Sequence, residues 1–113
     1  MSSKARQKGY RTVKSIREAL EANKYIVANV EKNSKFAKER DLFGLWDLLA
    51  IKGQEHLFIQ AKTNLSVNGQ KKGTLATWLL PYLKFGHEHG SSVVKYQVWV
   101  KYDGGELKVV TCE

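Results

Sequence analysis

The chain has one cysteine, Cys112, and one proline, Pro81, in 113 residues. A single cysteine excludes an intramolecular disulfide framework and any zinc site built from several thiolates. No apolar run reaches the roughly 18 residues that a membrane-spanning helix needs. The N-terminus reads MSSKARQK, without the apolar segment of a secretion signal. These absences lead to the expectation of a soluble, intracellular protein with no membrane contact. The string G-x-x-x-x-G-K-[ST] is also missing, which argues against a bound nucleotide cofactor. Acidic residues are scarce beside basic ones: 11 Asp and Glu against 19 Lys and Arg, a formal net charge of +8.

What is present fits one folded domain over residues 1–113, with residues 1–8 as a basic, flexible start. Hydrophobic residues make up 42% and aromatics 11%, enough for one core and too much for a wholly disordered chain. The charge is uneven. Residues 1–40 hold 11 basic and 4 acidic side chains, and residues 41–113 hold 8 and 7. A concentrated basic end points to a polyanion, because Lys and Arg neutralise phosphates and release counterions.

Val13, Ile16 and Leu20 recur at helical spacing, which predicts a first helix over about 8–23 ending at Asn23-Lys24. YIVANV (25–30) reads as a strand, and the polar stretch 31–43 as a loop. WDLLAI (46–51) and HLFIQAK (56–62) flank Gly53-Gln54, the sequence of a type II′ hairpin turn. That turn pairs Lys52 with Glu55, Ala50 with Leu57, Leu48 with Ile59, and Asp47 with Gln60. Strand side chains alternate, so Lys62 shares a face with Gln60. The hairpin thus gathers an acid, an amide and an amine at one end. TNLSVNGQKKGT (63–74) reads as a mobile basic loop. Leu75, Trp78, Leu79, Tyr82 and Leu83 form a helical stripe in which Pro81 either kinks the helix or starts a shorter one. Gly90 is a candidate C-cap, and two strands flank Asp103-Gly104-Gly105. The expected fold is α/β, a central mixed β-sheet flanked by helices, in the order α-β-β-β-α-β-β.

An acid and a second oxygen ligand on neighbouring strands can hold a hard divalent cation. Mg²⁺ needs few protein carboxylates beside phosphate oxygens, and it activates water and stabilises charge on a phosphodiester. Asp47, then Gln60-Ala61-Lys62 after a gap of twelve residues, resembles the D…(D/E)-x-K core of the PD-(D/E)XK (restriction-endonuclease-like) superfamily. KARQKGYRTVKSIREALEANKYIV, DLFGLWDLLAI, LFIQAKT and LPYLKFGHEHGSSVVKYQVWVKY are similar to segments of its archaeal and phage Holliday-junction resolvase-like group, over about residues 4–102.

The resemblance implies a Mg²⁺-dependent DNA endonuclease, with Mn²⁺ able to substitute, acting at branched DNA as a homodimer. Asp47 would be the main metal carboxylate and Lys62 the catalytic lysine, with Gln60 where Glu or Asp is usual. The resolvase pattern has a Glu where this chain has Val13, and Glu18 (or Glu21) is the candidate substitute. Asp41 is a further metal candidate, with a turn-capping role as its alternative. Lys4, Arg6, Lys8, Arg11, Lys14, Lys71 and Lys72 are expected to contact the DNA backbone. The Gln60 and Val13 departures motivate a second possibility, a weak or inactive DNA-binding module on a nuclease fold. A homing or nicking endonuclease of the same superfamily is the nearest enzyme alternative. An RNA-binding module is disfavoured, because no aromatic-rich RNP-type strand pair is present. His87 and His89, two apart on a helix, point away from each other and chelate poorly.

Overall fold

The order of elements follows from three hydrophobic patterns in turn: a helical stripe, alternating strands, then a second short stripe. A computed structural model describes residues 3–30, 43 and 45–113, with side chains from residue 9 onward. Its elements are α1 (Ser3–Ala22), β1 (Ile26–Asn29), β2 (Leu48–Lys52), β3 (Glu55–Thr63), a 3-10 turn (Thr77–Leu79), α2 (Leu80–His89), β4 (Val94–Lys101) and β5 (Leu107–Cys112). The sheet runs β1-β2-β3-β4-β5, with β3 and β4 parallel and every other pair antiparallel. The protein is therefore α/β, a five-stranded mixed sheet flanked by two helices. No helix among the described residues is long and apolar enough to cross a membrane.

Helix α1 starts at Ser3, ahead of the apolar stripe that marks it in the sequence. Ala, Arg, Gln and Lys are good helix formers, which lets it begin there. It ends where Tyr25 N–H reaches the Leu20 carbonyl at 3.1 Å and Lys24 N–H reaches that of Glu21 at 3.0 Å. That double closure needs a left-handed residue, and Lys24 supplies it at φ 72°. Ile16 and Leu20 pack with Val27, Leu48, Ala50, Leu57 and Ile59 on one face of the sheet.

The other face is covered by α2 and carries Tyr96, Val98, Val100 and Cys112, with Leu79, Tyr82 and Trp46. Pro81 sits in the first turn of α2, where its missing N–H has no partner to lose. Gly86 lets the helix approach β5 closely, since a methyl there would strike the Cys112 backbone and Cβ. Gly90 is the C-cap, in an extended conformation.

The β2–β3 hairpin has the expected register: Leu48 with Ile59, Ala50 with Leu57, Lys52 with Glu55. Gly53 has φ 60°, as the first turn residue of a type II′ turn requires. The stretch 63–74, expected to lack structure, forms a small turn. Asn68 bridges Leu75, and Gly69 N–H donates to the Thr74 carbonyl at 2.7 Å. Tyr102 Oη donates to the Leu65 carbonyl at 2.6 Å and Trp78 Nε1 to that of Ser66 at 2.8 Å, tying its base to the body.

Candidate functional site

Trp46 and Leu48 are two residues apart, yet they lie in cores on opposite faces of the sheet. Regular strand alternation would put both on one face, so the alternation breaks at Asp47. Asp47 precedes β2, and the expected Asp47–Gln60 pair is not part of the ladder. Its N–H donates to the Ile59 carbonyl at 2.9 Å, and its Oδ2 accepts the Ala61 N–H at 3.2 Å. Asp47 is thus bonded to both residues that flank Gln60. Interruptions of this kind re-aim a side chain at the margin of a sheet. The sequence signal for it was absent, because WDLLAI reads as a continuous strand.

Asp47 is 8% exposed and Gln60 5%. Gln60 Nε2 makes one long bond of 3.4 Å to the Ala61 carbonyl. Its Oε1 is buried without a hydrogen-bond partner among the described residues. An unsatisfied buried amide oxygen costs roughly 1–3 kcal/mol. The second such atom is Trp46 Nε1, a donor, which has no affinity for a cation. Lys62 follows Gln60 by two positions in β3, shares its face by alternation and lies beside Val100 of β4. Its ammonium makes no ion pair among the described residues. The backbone thus places Asp47 against the residues on either side of Gln60, with Lys62 two positions further along β3.

The remaining candidates are placed differently. Glu18 is exposed on α1, the helix that covers the Leu57 and Ile59 face, and it is not brought to Gln60. Glu21 pairs with Arg17 at 3.2 Å. Asp41 lies outside the described residues, as do the side chains of Lys4, Arg6 and Lys8. Arg11 and Lys14 are exposed on α1, while Lys71 and Lys72 are exposed on the 68–75 turn. His87 and His89 are both exposed, and among the described residues no three His, Cys, Asp or Glu side chains cluster. Cys112 is buried, and burial pushes its thiol up to about 11, so it is a poor nucleophile.

Two features lie apart from this trio. A groove of about 700 Å³, lined by Phe43, His56, Phe58, Phe85, His89, Val94 and Tyr96, occupies the amino-terminal end of β3 and β4. A smaller cavity at their carboxyl end is lined by Arg11, Thr12, Thr63, Lys101, Tyr102 and Asp103. Of that set the sequence had marked only Arg11. The available signal was Thr12, a polar residue one turn before Ile16 on the apolar stripe of α1.

Compared with known proteins, the chain matches no protein-family model and no curated protein.

Proposed function

We propose that the protein is a divalent-metal-dependent DNA endonuclease, similar to structure-selective resolvases of branched DNA. The carrying observation is the buried Oε1 of Gln60, which has no hydrogen-bond partner among the described residues and lies in the strand that holds the buried Asp47 carboxylate. Carboxylate and amide oxygens are both hard donors, so the residues present fit Mg²⁺ or Mn²⁺. Asp47 and Gln60 would hold the ion, which when bound supplies charge neutralisation on the phosphodiester and a more acidic water.

The other steps belong to this chain's side chains. Lys62, which has no carboxylate partner among the described residues, places a positive charge where the pentacovalent phosphate develops negative charge. The Ala61 N–H fixes the Asp47 carboxylate, so little reorganisation is needed when the substrate arrives. Arg11, Lys14, Lys71 and Lys72 supply backbone contacts that position a duplex without reading its sequence. The element order, with β3 and β4 parallel across α2, agrees with the PD-(D/E)XK resemblance and supports the reading. Symmetric cutting of a junction needs two copies of so small a chain. Trp99 and Val109 are register partners, and the exposed Val109 offers an apolar contact for the second copy.

The neutral amide of Gln60 favours one other function, a DNA-binding module that does not cut. A labelled four-way junction incubated with Mg²⁺ or Mn²⁺ separates the two. The endonuclease cuts the junction, and both Asp47→Asn and Lys62→Ala lose at least a hundredfold in rate. Binding without metal-dependent cutting by the wild type overturns the enzyme reading.

A further inference from the structure

The cavity at the carboxyl ends of β3 and β4 measures about 190 Å³. Thr63 and Lys101, which line it, are register partners at the last positions of the parallel pair. Open α/β sheets bind ligands outside the carboxyl ends of their parallel strands.

Its lining is rich in unused donors. Thr12 is 3% exposed, on a helix face where valine would pack as well. Its Oγ1 lies 2.7 Å from Thr63 Oγ1. One hydroxyl of such a pair donates to the other, and the second keeps its proton for a different acceptor. Lys101 Nζ donates once, to Ser15 Oγ at 2.6 Å, which leaves two of its three donors. Neither Lys101 nor Arg11 makes an ion pair among the described residues. The cavity thus presents a guanidinium, an ammonium and a hydroxyl proton, two positive charges against one carboxylate. Tetrahedral oxyanions carry the complementary set, acceptor oxygens and negative charge. Asp103 is the single acid of the lining. It is exposed, and its backbone N–H is held by Asn64 Oδ1 at 3.0 Å.

We propose that this cavity binds a phosphate group, namely a backbone phosphate of the nucleic acid that neighbours the one at Lys62. Lys62 and Thr63 are consecutive and point to opposite faces of β3, so a strand crossing the end of the sheet meets both. The chemistry rests on the cavity alone, and the nucleic-acid source rests on the proposed function. Asp103 at the rim weakens the site by repulsion, so neutralising it strengthens binding.

The test measures binding of a fluorescent four-way junction in EDTA, so that cleavage plays no part, as a function of KCl. Lys101→Met keeps the aliphatic stem. It is expected to weaken binding several-fold and to lower the slope of log K against log salt by about 0.9, one phosphate contact. Asp103→Asn is expected to tighten binding several-fold. Should Lys101→Met fail to fold, amide shifts of the wild type titrated with inorganic phosphate decide, with changes expected at Thr12, Thr63 and Lys101. An unchanged slope with no phosphate-induced shift at those amides overturns the proposal. Shifts with phosphate but an unchanged slope, or no junction binding at all, overturn the backbone source in favour of free phosphate. A changed slope in a protein that never cuts overturns the enzyme reading and leaves this one standing.

Discussion

The backbone N–H of Ala61 donates to Oδ2 of Asp47 at 3.2 Å, so the carboxylate is tied to the strand that carries Gln60 and Lys62. Asparagine at 47 keeps an oxygen for that N–H, whereas alanine leaves it part-buried and unpaired. Asp47→Ala is therefore expected to cost about 1–3 kcal/mol in urea unfolding. Asp47→Asn is expected to stay within about 1 kcal/mol of wild type while losing cleavage.

Gln60 gives a paired prediction. Leucine at 60 removes the partnerless oxygen with similar volume, so Gln60→Leu is expected to match or exceed wild-type stability by up to about 1 kcal/mol. Glutamate at 60 buries a second charge beside Asp47, so Gln60→Glu is expected to melt lower in EDTA. Added Mn²⁺ is expected to raise its melting temperature more than it raises that of wild type. Thermal melts with and without metal check both.

The hairpin that carries these residues was legible in the sequence, because Gly53-Gln54 between two apolar runs fixes both turn type and register. The break at Asp47 was not legible. It depends on Trp46 entering a core made with Tyr82 and Tyr96, distant in sequence. The stretch 63–74 reads as a loop because NGQKKGT has no apolar period, and the turn it forms is anchored at its base by Tyr102 and Trp78 from elsewhere. The threonine pair at Thr12 and Thr63 joins residues 51 positions apart, which no local pattern displays.

Helix α2 depends on the absence of a side chain at one position. Gly86→Ala drives a methyl into the Cys112 backbone and Cβ, and helix and strand must separate. The expected cost is about 1–3 kcal/mol, read as a lower urea midpoint.

Alkaline pH acts through Cys112. Its thiol is raised from 9.0 to about 11 by burial, so the folded state holds its proton longer than the unfolded state. The associated stability is present below about pH 9 and is lost as pH rises through about 11. Tyr25 and Tyr96, both raised by burial, act in the same direction. The melting temperature is expected to fall from pH 8 to pH 10.5, and less so for Cys112→Ser. At pH 8 the native thiol is expected to react with a disulfide reagent on the order of a hundredfold more slowly than in the unfolded chain.

The proposed endonuclease needs oxygens of Asp47 and Gln60 to form a divalent-cation site. A crystal soaked in Mn²⁺ and measured for anomalous scattering tests it most directly. An anomalous peak is expected within ligand distance of both Asp47 Oδ and Gln60 Oε1. A fully soaked crystal with no peak there, or with manganese bound only elsewhere, contradicts it.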